Sequence, residues 1–375
     1  STVNQLIYLV HRIYEALEKG EDVCFVSLDA SAAFDRVWHS GLLYKLKNFG
    51  ICGVLLLWLS DYLTNRRQRV VIDGQHSEWT HIKSGVPQGS ILGPLLFLIY
   101  TNDIVTNIES EILLFADDTA ILEPLSNDNQ SIDKINRDLE RLSSWATQWV
   151  VLCNPTKTKY LIFSKKLERR AYPPLYLQNK RLVEVEQHKH LGLTLNNKLT
   201  WEDHISRVCT EAGKRLPVIK RLPSNITPFT KLQLYKTFVR PVLEYGLVIF
   251  DNCSNNSSEA MESVQRQAAI AATRAYKNTS NTYLLPECGL ESLQDRRTKA
   301  KLTLMFKIRR GKTPDYLRTL LPEDVGENQA YNLQNSQNIR LPKITKNYFL
   351  KSFIPSTIKS WNLLSENLRN IAEVD

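Results

Sequence analysis

Paired cysteines, long apolar runs and repeats are all missing from this sequence of 375 residues. The six cysteines, at 24, 52, 153, 209, 253 and 288, are scattered without a CxxC pair. That argues against a zinc site and against a secreted disulfide framework, and it fits a reducing compartment. The longest apolar stretch, "ILGPLLFLIY", is ten residues and contains Gly and Pro. A membrane helix needs about 20 apolar residues. No internal repeat and no signal peptide is visible. Methionine does not open the chain; it starts at Ser1, directly in a helical pattern, so a piece of something longer is expected.

Apolar residues make up 43% and charged residues 23%, as in a globular protein with a sizeable core. The length suits two or three domains, or one lobed molecule. The net charge is +9 and the pI about 9.1. Such a balance favours an anionic partner, most often nucleic acid, with simple solubility as the bland alternative. The charge is unevenly placed. Between Val151 and Pro223 stand fifteen lysines and arginines against six acids, a surplus equal to that of the whole chain. One middle segment therefore carries the basic footprint.

Periodicity gives the elements. "STVNQLIYLVHRIYEALEKG" spaces Val3, Leu6, Val10, Ile13 and Leu17 as a helix, with Ser1 or Thr2 to cap it and Gly20 to stop it. "VCFVSLD" reads as a buried strand, "WHSGLLYKLKNFGI" and "GVLLLWLSDYLTN" as two helices. Asp73-Gly74 marks a hairpin. "SILGPLLFLIYTNDIVTNI" and "DKINRDLERLSSWATQWV" read as helices, and "KYLIFSK" as a strand. The order is β-α-β-α-β, so the expected fold class is α+β: an antiparallel sheet backed by helices rather than a doubly wound sheet. Past Trp201 the pattern is mainly helical, including "TPFTKLQLYKTFVRPVLEYG". Pro223 to Pro228 is a plausible joint. From about Asn328 the sequence is richer in Asn and Gln and less periodic.

Three segments carry chemistry. "LLFADDTAIL" sets Asp117 and Asp118 inside an apolar run, where an unpaired carboxylate is costly. At the tight turn of a hairpin both would point to one rim; an ordinary Asp-Asp turn is the plain alternative. "FVSLDASAAFDRV" ends a strand with Asp29 and starts a helix near Phe34-Asp35, Asp35 being read as structural. Together these make an oxygen-rich site of the kind hard divalent cations want. "SGVPQGSILGPLLF" places Gln88 between glycines, where backbone can approach a ligand closely. Taken alone, it is a plain loop before a core helix.

The ordered set "SLDASAAFDRV", "SGVPQGSILGPLLF", "LLFADDTAIL", "LCNPTKTKYLIF" and "KHLGLTLNNKLTWEDHI" resembles the reverse transcriptases of non-LTR (LINE) retrotransposons, nearest the jockey-like group. The resemblance implies a right-hand polymerase: a palm with a remnant of fingers over 1–203, and a mainly helical thumb and C-terminal region over 204–375. It implies RNA-directed DNA synthesis from dNTPs on a DNA primer and an RNA template. Two Mg²⁺ ions are implied, with Mn²⁺ as a substitute, held by Asp29, Asp117, Asp118 and the Ala30 carbonyl. Phe34 would occupy the aromatic position that blocks a ribose 2′-hydroxyl. Gln88 and Gly89 would line the incoming nucleotide, Lys157 would sit near its triphosphate, and "HLGLTL" would grip the primer end. The resemblance also implies that most of the fingers and an N-terminal endonuclease precede Ser1, so weak isolated activity is expected. The alternative is a non-catalytic nucleic-acid-binding remnant; another right-handed polymerase, such as an intron maturase or a viral RNA polymerase, is a third reading. An intracellular place, nuclear or cytoplasmic, is expected, with no membrane partner.

Overall fold

The computed structural model describes residues 1–126, 128–327 and 336–371. The start of the Asn- and Gln-rich tail, 328–335, lies outside the described residues. Contacts divide the chain into two compact units. One is Asp22–Glu186; the other joins Ser1–Glu21 to Gln187–Asp375.

Asp22–Glu186 is built on a five-stranded sheet. Its strands are β1 (Asp22–Leu28), β2 (Glu111–Phe115), β3 (Asp118–Leu125), β4 (Lys159–Phe163) and β5 (Val183–Glu184), in the order β5-β4-β1-β3-β2. Only β5 runs parallel to its neighbour. The central strand β1, "DVCFVSL", is buried along nearly its whole length. That is why it reads as a continuous apolar run rather than an alternation. Its even-numbered residues Cys24, Val26 and Leu28 pack with Ile121, Tyr160 and Ile162 on one face. A helix, Gln130–Gln148, covers that face. It presents Ile132, Ile135, Leu139 and Leu142, spaced three and four apart, to the sheet.

A second apolar cluster joins three more helices: α1 (His39–Asn48), α2 (Gly53–Leu63) and α3 (Leu92–Thr101). Leu42, Leu46, Leu63, Leu96 and Phe97 form its centre. Lys45 is buried in this cluster. Its ammonium lies 3.6 Å from the Trp149 ring centre and donates to the Tyr100 carbonyl and to Asp103, each at 2.5 Å. The expected hairpin at Asp73-Gly74 is present, with Ile72 paired to Gln75.

Two expected elements differ. No helix begins at Phe34-Asp35: Phe34–Arg36 is a single 3-10 turn, and α1 starts at His39. Ala32 stands at φ 54 and its carbonyl accepts from both Asp35 and Arg36, so the chain turns once and stops. The stretch "TPFTKLQLYKTFVRPVLEYG" is helical as expected, but not α throughout. It is Pro228–Leu234, a π-turn over Tyr235–Val239, and Arg240–Glu244. Pro241 has no N–H to return to Thr237, and the wider turn absorbs the lost bond.

The other unit is mainly helical. It includes a helix Glu202–Lys220 and a helix Asn255–Thr273, beside a small hairpin pairing Gln187–His190 with Leu193–Asn196. The first helix, Thr2–Glu18, belongs here and not with the sheet. Its Tyr14 stacks near Tyr348 and Phe349, and its hydroxyl accepts from Asn252 at 2.8 Å. Glu18 accepts from the backbone of Thr345 and Lys346. The boundary between the two contact units falls after Glu186, and the first 21 residues belong to the second unit. Among the described residues no helix is long and apolar enough to cross a membrane.

Candidate active site

The site is assembled where the central ladder ends. β1 pairs antiparallel with β3 from Asp22↔Leu125 to Leu28↔Thr119. Continued one step, that register sets Asp29 across from Asp118. Residues directly opposite in an antiparallel pair share a face, so the two carboxylates point the same way. β2 and β3 close with Phe115 opposite Asp118, leaving Ala116 and Asp117 as the turn. Ala116 is held at φ 53, a strained value for an alanine. Asp117 and Asp118 are both exposed at this rim, and Asp29 is half-buried.

Electrostatics agree with this placement. The Asp118 carboxyl is pushed up from its ordinary value by partial desolvation, then by the charges of Asp117 and Asp29. Burial and the charge of Asp29 likewise push the Cys153 thiol up to about 11. No cation is among the causes acting on Asp118.

Asp29 is held from behind by the segment "LCNPTK". Its N–H donates to the Thr158 hydroxyl at 3.2 Å, and its carbonyl accepts from the Asn154 N–H at 2.9 Å. Ser31 donates its hydroxyl to Asp29 at 3.1 Å and its N–H to the Leu152 carbonyl. Ala30 is thereby bridged to Cys153 by the bonds on either side of it. Its own carbonyl is not used by that ladder and faces away from Cys153. Asn154 folds the next residues into a tight turn, its side-chain oxygen accepting from the N–H groups of Thr156 and Lys157. Exposed Lys157 lies on this turn, between Asn154 and Thr158, the two residues bonded to the Asp29 backbone.

Phe34 stacks on Phe97, with ring centres 4.2 Å apart, and is half-buried. The loop bearing Gln88 and Gly89 is clamped to the turn at Phe34–Arg36. Val86 donates to the Phe34 carbonyl, Ser84 donates its hydroxyl to the Asp35 carbonyl, and Gln88 donates to the Asp35 carboxylate at 2.9 Å. Gly85 is required there: at φ +88, an added Cβ would lie 2.7 Å from the Asp35 carbonyl oxygen. His39 completes the clamp, with its Nε2 2.8 Å from the Gly85 carbonyl.

The structure thus brings Asp29, Ala30, Asp117 and Asp118 to one sheet end, with Lys157 on the adjoining turn. Phe34, Gln88 and Gly89 lie on a second, mutually clamped pair of loops. "HLGLTL" forms the hairpin Gln187–His190 with Leu193–Asn196 in the other unit. The positioning residues Ser31, Asn154 and Thr158 were not singled out by sequence. Their signal was the Asn-Pro-Thr pattern of a turn, which does not say what the turn packs on. Among the described residues no group of three or more Asp, Glu, His or Cys side chains is placed so as to hold a metal ion. The donor chemistry still fits a hard divalent cation: acceptor-only oxygens and a backbone carbonyl, with the like charges of Asp117 and Asp29 acting on Asp118.

A family model described as reverse transcriptase (RNA-dependent DNA polymerase) matches residues 3–195. The RNA-directed DNA polymerase from mobile element jockey of Drosophila melanogaster is 33% identical over 263 residues, covering 66% of this chain and 28% of that one. A Drosophila melanogaster protein described as "Probable RNA-directed DNA polymerase from transposon BS" is 28% identical, over 83% of this chain and 35% of that one. The chain spans about a third of the length of the curated relatives it matches. Among solved structures, apo telomerase from Candida tropicalis aligns with a TM-score of 0.41 at 13% identity, covering 71% of this chain and 45% of that chain.

Proposed function

The chain belongs to the reverse transcriptase family, and from that premise we propose that it extends a DNA primer on an RNA template with dNTPs, as part of a jockey-like non-LTR retrotransposon. One observation supports this most directly. Asp29 and the Asp117-Asp118 pair come from distant segments, yet they meet at the end of one ladder, where partial desolvation and the charges of Asp117 and Asp29 raise the Asp118 carboxyl.

In this reading Asp22–Glu186 is the core of the palm, and the thumb follows in the helical region from about 204. Asp29, Asp117, Asp118 and the Ala30 carbonyl would hold Mg²⁺, or Mn²⁺ in its place, and the bound metal would supply activation of the primer 3′-hydroxyl and charge neutralisation for the leaving pyrophosphate. The chain's own residues do the rest. The carboxylates orient the reacting groups. Lys157, on the turn tied to Asp29, neutralises charge on the triphosphate. Gln88 and Gly89 line the base and sugar, their loop fixed by Asp35. Phe34, stacked on Phe97, is a firm wall where a 2′-hydroxyl would stand. An intracellular setting, nuclear or cytoplasmic, follows from this role.

The test is primed dNTP incorporation on an RNA template with Mg²⁺, comparing the chain with its Asp117→Asn, Asp118→Asn double variant. We expect incorporation to fall at least about a thousandfold in the variant while its circular-dichroism melt is no lower than the parent's. Template–primer binding with no incorporation by the unaltered chain would leave only the nucleic-acid-binding reading.

A further inference from the structure

The hairpin between α2 and α3 has no role in the chemistry above, and its features are unusual. Its strands pair Arg67 with His81, Gln68 with Thr80, Val71 with His76 and Ile72 with Gln75. Every residue from Arg67 to His81 is exposed, on both faces. A bare two-stranded ribbon is marginal in water. This one also displays large apolar side chains: Val70, Val71, Ile72 and Trp79 are each more than half exposed.

Its charge is equally distinctive. Arg66, Arg67, Arg69 and Lys83 stand against Asp73 and Glu78. Arg69 lies 4.7 Å, and Arg67 5.9 Å, from the Trp79 ring centre. Among the described residues no carboxylate pairs with these guanidiniums. Their donor forks are held on an aromatic plate and remain unspent. Guanidiniums match phosphate oxygens in bidentate fashion.

We propose that the ribbon Arg66–Ile82 is a binding arm for a single strand of nucleic acid. Trp79 stacks an unpaired base, and Arg67 and Arg69 take the phosphates beside it. The occupant's class rests on the polymerase reading, together with the charge complementarity of the arm. A single strand is favoured over a duplex because an exposed ring can stack only on a base face that is not already stacked. The arm is tied to the candidate site by a short path. Ile82 donates to the Arg66 carbonyl to close its base, and the chain then enters the Ser84–Gln88 loop clamped on Asp35. The strand it holds is thus the template, next to the loop that lines the incoming nucleotide.

The experiment measures binding of a fluorescein-labelled oligouridylate, a paired RNA–DNA hybrid and phosphatidylserine vesicles to the whole chain. The variants are Trp79→Ala, Trp79→Phe and the pair Arg67→Ala, Arg69→Ala. Trp79→Ala is expected to weaken oligouridylate binding on the order of tenfold, with Trp79→Phe restoring most of it. The arginine pair should lower the slope of log affinity against log salt by about 1.4. Hybrid binding should change little. Circular-dichroism melts should match the parent, since every residue from Arg67 to His81 is exposed. The proposal is overturned by unchanged oligouridylate affinity in all variants, by equal losses on the hybrid, or by binding to vesicles in place of RNA. If arm-dependent binding is found while the unaltered chain incorporates no dNTP, the polymerase reading fails and the arm stands.

Discussion

Two hairpins in the same unit use similar turn chemistry for opposite ends. The hairpin of β2 and β3 carries its carboxylates on a two-residue turn, and its strands lie inside a five-stranded sheet. The ribbon from Arg66 to Ile82 turns at Asp73-Gly74 and pairs with nothing but itself. In the first, the strained Ala116 and the crowded Asp118 are imposed by packing on either side. In the second, nothing outside the ribbon dictates its shape. Support decides what each can do. A site for small ions needs fixed positions, whereas an arm for a flexible strand is served by a free surface.

The comparison can be broken by substitution. Ile121 is fully buried in β3, and Ile72 is exposed near the ribbon's tip. Ile121→Ala should cost about 3 kcal/mol, read as faster hydrogen exchange in β1 and β3. Ile72→Ala should cost less than about 0.5 kcal/mol. Equal costs would mean that the ribbon is not free. Glycines make a second contrast. Gly85 faces the Asp35 backbone, while Gly74, at φ +78, has open space around it. Gly85→Ala should destabilise by about 2 kcal/mol and detach the Gln88 loop, whereas Gly74→Ala pays only for its backbone angle, about 1 kcal/mol. Ala116→Gly should stabilise slightly, by about 0.5 kcal/mol, if the turn is strained as its φ indicates.

The smallest effect is one of pH. The native carboxyl of Asp118 titrates above its ordinary value of 3.8, so ionising it opposes folding. The penalty is absent below pH 3.8 and complete once the pH has passed the raised native value. In metal-free buffer, Asp118→Asn should therefore melt with the parent at low pH and above it at neutral pH. A gap that is constant with pH would mean that neither partial burial nor the charges of Asp117 and Asp29 raise it.

Much of this was legible in the sequence, for a physical reason. Strand β1 and the Asp117-Asp118 turn announce themselves through local pattern, and local pattern is what a sequence displays. The partners of Asp29 were legible only as the separate motif "LCNPTK". Its hydrogen bonds to Asp29 span more than a hundred residues and leave no periodic trace. Lys45 shows the limit most clearly. In "YKLKN" it looks like its exposed neighbour Lys47, yet it is buried against Trp149 and Asp103. The first helix was legible as a helix, but its place with the C-terminal unit depends on Tyr348, Phe349 and Thr345, far along the chain. The function of Asp35 was half legible: a structural residue was expected, though not the clamp on Gln88.

The ladder between Asp22↔Leu125 and Leu28↔Thr119 has a further bearing on how such a sequence can change over time. Side chains along a strand alternate between faces, so an insertion or deletion of one residue within it would turn Asp29 away from Asp118. Drift in residue identity is tolerable there as long as the strand stays apolar, but drift in length is not. Relatives that share this chemistry should therefore differ freely in the size of the 66–82 ribbon while keeping an invariant count of residues from the start of β1 to its terminal aspartate.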